Sequence, residues 1–297
     1  MAADINLGPL ENPLRSWLFV PADQAEKIEK AWQSGSDCVI LDLEDGVAPS
    51  RKAIARENLA RVLELPRPGS PAMLVRINPD PPHRSADIEA SVRPGVFGIM
   101  LPKSNTPKDV IETAKELSQA ERRMDIAEGN TRLFLLIETA RGFLTLPPLA
   151  SASDRVAGLV FGAEDWCRDM GIARSKAGRE LEVARWHLAV CAHAYGLLAI
   201  DTIYGDFHDT DGLLRDTENA RRIGFTGKLA IHPKQIAPIH ASFAPSHAEI
   251  SEAAAIVEAF DRAEAQGRGA VAVNGRMVDK PVAERFRRIL FTAEKRK

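Results

Sequence analysis

Short apolar segments alternate with amphipathic segments along most of the chain. Three of the apolar segments read WLFVP (17–21), CVILDL (38–43) and LFLLI (133–137). Continuous apolar runs of this length are typical of strands buried on both faces. Between them, apolar residues recur at helical spacing. The pattern predicts eight strand–helix pairs, with strands over residues 17–21, 38–43, 73–77, 98–101, 133–137, 157–161, 198–204 and 228–231.

Strands that alternate with helices must lie parallel, because each helix carries the chain back to the same edge of the sheet. Eight such pairs in about 230 residues fit an α/β fold of the closed (β/α)8, or TIM barrel, type. A doubly wound open sheet is the alternative. It is disfavoured because no G-x-G-x-x-G motif follows the first strand.

A different pattern follows the eighth pair. An Ala-rich helix is predicted over residues 248–266, then a β-hairpin over 267–279 that turns at Asn274-Gly275, then a helix from Pro281 to about Glu294. We therefore predict a catalytic barrel over residues 1–245. Residues 246–297 form a helix–hairpin–helix extension that acts as a lid or in oligomerisation.

Composition excludes several classes of protein. The 297 residues carry a net charge of −2, which argues against nucleic-acid binding through a basic surface. No apolar window is long enough to span a membrane, and the N-terminus lacks the features of a secretion signal. Cys38, Cys167 and Cys191 are far apart, so neither a disulfide framework nor a zinc site is expected. We expect a cytoplasmic protein with no nucleic-acid or membrane partner.

Charged residues gather where the predicted strands end. In a TIM barrel, the carboxyl ends of the strands form the active site. In chain order these residues are Asp42, Glu44 and Asp45 after strand two, Arg76 on strand three, Lys103, Glu138, Glu164 and Asp165, Asp201 and Asp206 on and after strand seven, and His232. Random surface polarity would not collect carboxylates, an Arg and a His at the same position of successive strands.

The carboxylates outnumber the nearby cations, so they would repel one another unless a cation lies among them. Oxygen ligands without a Cys or His pair favour Mg²⁺ over zinc. Glu138 and Asp165 are the predicted ligands, because neighbouring strands bring them side by side. The alternative is that Glu138 forms a simple salt bridge with Arg76 or Arg141.

Arg76 and His232 allow two interpretations each. Arg76 either stabilises an enolate or carboxylate oxygen of a substrate, or only neutralises nearby acids. Asp42, Glu44 and Asp45 are expected to orient Arg76, a backbone group or metal-bound waters rather than to bind the metal. His232 acts either as a base or as a hydrogen-bonding group.

Ordered motifs along the chain resemble those of a known family. They are RSWLFVPA, CVILDLEDGVAPSRKAIAR, VRINP, LLIETARG, GLVFGAEDW, AIDTIYGDFHDTDGL, GFTGKLAIHPKQI and NGRMVDKP. In this order they resemble the citrate lyase β-subunit-like (HpcH/HpaI aldolase) superfamily, and in particular its malyl-CoA, β-methylmalyl-CoA and citramalyl-CoA lyases. Eight ordered motifs are far more specific than any one of them.

The resemblance implies a fold, a metal and site residues. It implies a TIM barrel in which Glu138 and Asp165 hold Mg²⁺ and Arg76 contacts the acyl oxygens. It implies that Asp279 reaches into a neighbouring subunit as the catalytic acid, in a homotrimer or hexamer. Residues near the CoA thioester would be Phe19, Val20, Lys30, Ile231 and His232.

The implied activity is a Mg²⁺-dependent carbon–carbon lyase or synthase. It would interconvert a 3-hydroxyacyl-CoA thioester with an acyl-CoA and a 2-oxo acid such as glyoxylate or pyruvate. The loop PADQAEK departs from the family pattern, because Gln24 and Glu26 replace residues that are usually basic. This departure favours a different thioester carrier or a free acid as substrate. Four alternatives stay open: a citrate-lyase-type subunit acting on an acyl-carrier-protein thioester, a malyl-CoA thioesterase, a class II aldolase for free 2-oxo acids, and a non-catalytic barrel.

Overall fold

The computed structural model describes residues 14–63 and 71–294. Within them, eight parallel strands close into a barrel in chain order, and the eighth pairs with the first. They are β1 (Ser16–Pro21), β2 (Cys38–Asp42), β3 (Ala72–Arg76), β4 (Gly98–Leu101), β5 (Arg132–Ile137), β6 (Val156–Phe161), β7 (Leu198–Asp201) and β8 (Gly227–Ala230). Closure confirms the predicted TIM barrel and excludes the open sheet. Residues 1–13, on which the secretion-signal prediction rests, lie outside the described residues.

Helices follow the strands as predicted. In chain order they are α1 (Ala25–Trp32), α2 (Lys52–Leu63), α3 (Pro81–Ser91), α4 (Pro107–Arg123), α5 (Ala140–Leu144), α6 (Leu146–Ala150), α7 (Ala163–Met170), α8 (Glu182–Ala194), α9 (Thr210–Ile223) and α10 (Ile236–Phe243). Helix α3 begins at Pro81, because Asp80 accepts the backbone N–H of His83 as an N-cap and Pro81 suits the first helical position.

One helix was not predicted. Helix α7 follows β6 after a single residue, Gly162, and ends at Gly171, which adopts a left-handed conformation with φ of +67°. Glu164 and Asp165 lie in its first turn, where carboxylates interact favourably with the helix dipole. Asp165 therefore projects from a helix N-terminus rather than from a strand end. The helix is too short for its apolar spacing to stand out in the sequence.

Alternation along each strand decides which side chains enter the barrel. Leu74 of β3, Phe134 and Leu136 of β5 and Val160 of β6 pack together in its interior. Because strand side chains alternate, the next inward positions toward the carboxyl ends are two residues further on. Those positions are Phe19, Asp42, Arg76, Glu138, Gly162, Thr202 and Ile231. One period-two pattern thus fills the barrel with apolar residues and places polar residues at its mouth.

Two glycines leave room for the ring of Phe134 in the barrel interior. Phe134 packs edge to face on Trp17, with ring centroids 5.1 Å apart. A Cβ at Gly158 would lie 2.8 Å from the Phe134 ring, and a Cβ at Gly98 would lie 3.0 Å from it. Both glycines take inward positions on strands next to β5, so they leave the volume that Phe134 occupies.

Four charged side chains, three of them buried, connect the barrel to two of its helices. Arg185 of α8 and Lys228 of β8 both bind the carboxylates of Asp201 and Asp216, with N–O distances of 2.6–2.9 Å. Asp201 and Lys228 occupy outward positions on their strands, between the barrel and the helices. The prediction that groups Asp201 with the acids of the mouth is therefore wrong, because its side chain has the opposite orientation.

The chain divides into two compact units, one through His240 and one from Ala241. The second unit contains α11 (His247–Ala265), the antiparallel pair β9 (Ala270–Val273) and β10 (Arg276–Asp279), and α12 (Lys280–Glu294). It has its own apolar core, formed by Ala253, Ile256, Phe260, Val278, Ala283 and Phe286. Nowhere in the described part of the chain is a helix both long and apolar enough to cross a membrane.

Candidate active site

The carboxyl ends of the strands surround a cavity of about 590 Å³. This volume is typical of sites that bind small molecules. Its lining combines apolar side chains with a few charged ones: Leu18, Phe19, Val20, Pro21, Lys27, Lys30, Ala31, Asp42, Gly46, Arg76, Leu136, Glu138, Gly162, Ala163, Glu164, Asp165, Thr202, Ile203, Leu229, Ile231, His232 and Pro233. Most of the residues predicted from the sequence are thus brought to one place.

Glu138 follows β5 and is 2% exposed. Its Oε1 accepts the backbone N–H of Lys103 at 2.7 Å. Burial raises the pKa of Glu138, and the carboxylates of Asp165 and Glu44 raise it further, to about 8. Among the described residues Glu138 forms no ion pair, so the alternative of a salt bridge with Arg76 or Arg141 is not what the structure contains.

Asp165 and Glu138 come together because Gly162 lies between their elements. A Cβ at Gly162 would be 2.6 Å from Cβ and 2.7 Å from Oε2 of Glu138, so no larger residue fits there without displacing Glu138. Asp165 Oδ1 forms an ion pair with Arg168, one helical turn later, at an N–O distance of 2.7 Å. The glycine therefore allows two carboxylates to share one small volume.

Arg76, the last residue of β3, is held on several sides. Its Nε and one terminal nitrogen donate to the two oxygens of Asp42 at 2.8 and 2.6 Å. Its other terminal nitrogen lies 3.1 Å from Glu44 Oε2, and the guanidinium stacks on the ring of Phe19 at 4.7 Å. The orientation of Arg76 is thus fixed before any ligand binds.

The loop after β2 supplies the acids around Arg76. Asp42 also accepts the backbone N–H groups of Glu44 and Gly46, each at 2.9 Å, so both of its oxygens have two donors. The side chain of Glu44 is 3% exposed, and its Oε1 lies 2.6 Å from Lys103 Nζ. Asp45 is 57% exposed and lies 3.9 Å from the same ammonium. Asp42 and Glu44 thus contact Arg76 directly, whereas Asp45 does not.

The donor set at Glu138 and Asp165 fits a hard divalent cation. Two carboxylates face each other at the cavity, where burial, and then the charges of Asp165 and Glu44, raise the pKa of Glu138. No group of three or more His, Cys, Asp and Glu residues converges in metal-binding geometry in residues 14–63 and 71–294. A site with only two protein carboxylates suits Mg²⁺, which keeps several waters or substrate oxygens as ligands.

His232 lines the cavity, as do the other residues predicted near a thioester: Phe19, Val20, Lys30 and Ile231. Its ring stacks on Phe207, with centroids 4.6 Å apart and planes 8° from parallel. Its Nδ1 accepts the backbone N–H of Lys234 at 3.1 Å, so the neutral ring carries its proton on Nε2. Of the two interpretations made from the sequence, this geometry favours a hydrogen-bond donor over a base.

Asp279 ends β10 in the second unit. Its Oδ1 accepts the backbone N–H of Val282 at 3.2 Å, which caps the beginning of α12. Capping is the structural role that an Asp before a helix is expected to have. Among the described residues, no hydrogen bond or ion pair engages the second oxygen of this carboxylate.

Sequence reasoning did not assign three features of the site. Lys27 lies one helical turn from Lys30 on α1, and both line the cavity. Lys103 contacts Glu138 through its backbone and Glu44 through its side chain. Gly162 provides the space described above. Helical spacing could have paired the two lysines, but no sequence signal indicates a backbone N–H or the absence of a Cβ as a functional feature.

Comparison with known proteins agrees with this geometry. Residues 15–233 match the family described as HpcH/HpaI aldolase/citrate lyase. The chain is 36% identical to citrate lyase subunit beta of Escherichia coli (strain K12) over 94% of this chain and 93% of that protein. It is 34% identical to the mitochondrial citramalyl-CoA lyase of Rattus norvegicus, over 95% of this chain and 86% of that protein.

A solved structure from another organism is similar to this chain in both sequence and fold. CitE of Mycobacterium tuberculosis, in complex with magnesium, acetoacetate and coenzyme A, is 32% identical, with a TM-score of 0.81 over 96% of this chain and 100% of that chain. The resemblance inferred from the eight motifs is thereby confirmed. This chain belongs to the HpcH/HpaI aldolase/citrate lyase family.

Proposed function

We propose that the protein is a Mg²⁺-dependent carbon–carbon lyase, or synthase, acting on a 3-hydroxyacyl-CoA thioester of the malyl-CoA or citramalyl-CoA type. The products of cleavage are an acyl-CoA and a 2-oxo acid such as glyoxylate or pyruvate. One observation carries the proposal: Glu138, buried and with a raised pKa, faces Asp165 beside the fixed guanidinium of Arg76. This arrangement combines a cation site with a binding site for an anionic oxygen.

Glu138 and Asp165 would hold the Mg²⁺. When bound there, the ion supplies Lewis-acid polarisation of the 2-oxo acid carbonyl and offsets the charge of the two carboxylates. The Mycobacterium tuberculosis relative, solved with magnesium, acetoacetate and coenzyme A, supports this assignment. The relative supports the assignment because the two chains are similar in sequence and fold over nearly their whole lengths.

Arg76 binds the acyl and carboxylate oxygens of the substrate. Asp42 occupies Nε and one terminal nitrogen and Glu44 lies 3.1 Å from the other, so the guanidinium cannot turn away from the cavity that it lines. Donors held in place before reaction stabilise negative charge without reorganising as that charge develops. This supports a role for Arg76 beyond neutralising the nearby acids.

The thioester would extend along the apolar side of the cavity. Lys27 and Lys30 at its rim are suited to the phosphates of coenzyme A, although Gln24 and Glu26 are not. The Nε2–H of His232 is suited to donate to the thioester oxygen. These features favour a large anionic thioester over a small free acid.

In the synthetic direction, a base removes a proton from the carbon α to the thioester, and the resulting enolate attacks the carbonyl carbon of the 2-oxo acid. Asp279 then gives its proton to the new alkoxide oxygen. In cleavage, Asp279 takes the hydroxyl proton back, the carbon–carbon bond breaks, and the enolate carbon is reprotonated. The motif NGRMVDKP supports this role, in which Asp279 comes from a neighbouring subunit of a homotrimer or hexamer.

The cellular setting is also proposed. Cys38, Cys167 and Cys191 are buried and unbridged, which suits a reducing compartment such as the cytoplasm. Small-molecule thioesters and 2-oxo acids are the expected partners.

A second candidate function is a citrate-lyase-type subunit that acts on an acyl-carrier-protein thioester. Two observations favour it: the 36% identity to citrate lyase subunit beta and the presence of Gln24 and Glu26 where a CoA-binding loop is usually basic. A carrier protein would deliver the same thioester without a free nucleotide to bind.

A Mg²⁺-dependent assay tests the proposal. The purified protein is incubated with a panel of acyl-CoAs, each offered with glyoxylate or pyruvate, and the same acyl groups are offered on acyl-carrier protein. Condensation with an acyl-CoA that EDTA abolishes is the expected result. Activity confined to the carrier-protein substrates would establish the second candidate, and release of free CoA without a change in the carbon skeleton would establish a thioesterase.

A further inference from the structure

Lys103, just after β4, contacts two acidic residues of the site, Glu138 and Glu44. Its backbone N–H donates to Glu138 Oε1 at 2.7 Å, and its ammonium lies 2.6 Å from Glu44 Oε1. Glu44 in turn lies 3.1 Å from Arg76 through its other oxygen. Lys103 itself is not among the residues that line the cavity. It therefore links the carboxylate proposed to bind metal with the guanidinium proposed to bind substrate, and it does so from outside the ligand volume.

The backbone of Lys103 is in a conformation that non-glycine residues rarely adopt, with φ of +49°. Such a conformation costs free energy and persists where the surrounding structure requires it, often at functional sites. Here it coincides with the hydrogen bond from the Lys103 N–H to Glu138. The contact to Glu138 depends on the main chain, so it survives replacement of the side chain.

The ammonium of Lys103 has a separate effect. Glu44 is buried between two cations, with one oxygen facing Lys103 and the other facing Arg76. If the ammonium is removed, the buried charge of Glu44 has Arg76 as its remaining close cation. The guanidinium would then be drawn toward Glu44, and fewer of its N–H groups would face the cavity.

We propose that Lys103 is a positioning residue, whose ammonium restrains Glu44 and thereby keeps Arg76 available to the 2-oxo acid, while its backbone N–H orients Glu138 independently. This inference rests on the proposed function, because it assumes that Arg76 binds the 2-oxo acid. It predicts that loss of the side chain impairs binding of the 2-oxo acid far more than binding of the metal.

The test is Lys103→Met in the full-length protein, measured by calorimetry. Mg²⁺ alone is titrated first, and pyruvate is then titrated into the Mg²⁺-loaded protein. Because a hydrogen bond to a charged group is lost, we expect the pyruvate Kd to rise about tenfold or more. The Mg²⁺ Kd should change less than about threefold, since the backbone donor to Glu138 remains. Lys103→Arg should recover most of the pyruvate affinity.

Two further variants make the test specific. Lys108→Met removes a lysine that is 80% exposed and pairs with Glu112 on α4, so it should behave as wild type. Glu44→Gln removes the charge that Lys103 restrains, so adding Lys103→Met to it should have a much smaller effect than Lys103→Met alone. If Lys103→Met lowers the pyruvate affinity equally in wild-type and Glu44→Gln protein, the inference is overturned. An equal loss of Mg²⁺ and pyruvate affinity would also overturn it.

The wild-type titration separates this inference from the proposed function. Wild-type protein that binds pyruvate only with Mg²⁺, together with an unaffected Lys103→Met variant, would overturn the role of Lys103 alone. Wild-type protein that binds no pyruvate in the presence of Mg²⁺ would overturn the proposed function and this inference with it.

Discussion

Arg76 and Asp42 are joined by two parallel hydrogen bonds, Nε to Oδ1 at 2.8 Å and a terminal nitrogen to Oδ2 at 2.6 Å. They face each other across β2 and β3, where they are register partners at the carboxyl ends of the two strands. The planar fork of a guanidinium matches a carboxylate in this way, and a lysine ammonium does not. The pair therefore fixes the direction of Arg76, as well as balancing a charge.

Replacement of Arg76 by Lys tests whether this direction matters. The charge is kept but the fork is lost, so we expect kcat to fall by at least ~10²-fold, the scale for removing one oxyanion donor. Steady-state kinetics measure the loss, and thermal unfolding checks that the barrel is intact. Wild-type rates would mean that Arg76 is only a counterion to the acids of the loop after β2.

Removal of either carboxylate at the metal site should abolish Mg²⁺ binding. Glu138→Ala and Asp165→Ala each leave one protein ligand, which is too few for a site that already relies on waters. The fold should persist, because Glu138 is buried beside other carboxylates and its ionised form is disfavoured there. Calorimetric titration of Mg²⁺ makes the measurement. Full turnover of either variant in EDTA would be incompatible with the metal assignment.

Gly162→Ala should impair the metal site through shape alone. Its Cβ would lie 2.7 Å from Glu138 Oε2, so the carboxylate must move, at a cost of about 1–3 kcal/mol for overpacking. We expect weaker Mg²⁺ binding and a lower Tm. Gly205→Ala is the matched control, since no atom lies within 4 Å of a Cβ there. If both variants bind Mg²⁺ as the wild type does, the close approach at Gly162 has no functional consequence.

Much of this site follows from a period-two pattern that is visible in the sequence. Parallel strands share one polarity, so polar residues at their carboxyl ends had to meet, and Arg76 and Glu138 do. Asp201 does not join them, because its side chain is oriented outward from the barrel. That orientation depends on which positions of β7 alternate inward, and a continuous apolar run does not reveal the alternation. Lys103 and Gly162 act through a backbone N–H and an absent Cβ. Neither property has a residue pattern that a single sequence could reveal.

Acid should destabilise the barrel through Asp37, at the start of β2. Its carboxylate accepts three hydrogen bonds of 2.8–2.9 Å from Arg15 and lies 3.2 Å from His240 Nε2. Burial raises the pKa of Asp37, but the hydrogen bonds and charges of His240 and Arg15 outweigh it and hold that pKa well below its usual range. The ionised form is therefore more stable in the folded protein than in the unfolded chain.

The lowered pKa of Asp37 sets the pH range in which this carboxylate stabilises the folded protein. A depressed pKa contributes stability above the unfolded value of about 4, and the contribution is lost as the pH falls through the folded value. Asp37→Asn should cost about 1–3 kcal/mol near pH 7, and its difference from wild type should shrink below about pH 4. Thermal melts from pH 3 to 7 measure it, with exposed Asp154→Asn as control. A difference that stays constant with pH would contradict this account.

Asp279→Asn separates the two roles open to this residue. Asn caps a helix as well as Asp does, so a purely structural Asp279 predicts unchanged stability and unchanged turnover. An amide cannot deliver a proton, so the proposed acid predicts a large loss of kcat at unchanged Tm. Val282, whose N–H lies 3.2 Å from Asp279 Oδ1, retains its acceptor in the variant, which makes the substitution a conservative one. A nearly unchanged rate would leave only the cap.

If Asp279 acts in the site of a neighbouring subunit, two inactive variants should complement each other. Glu138→Ala lacks the metal ligand and Asp279→Asn lacks the acid, so each homo-oligomer is inactive for a different reason. A mixed oligomer would contain some sites with an intact Glu138 from one subunit and an intact Asp279 from another. Denaturing and refolding the two together should therefore restore part of the wild-type activity, whereas each refolded alone stays inactive. No recovery in mixed oligomers verified by mass spectrometry, or a monomeric active enzyme, would remove the shared site and confine any catalytic role of Asp279 to its own chain.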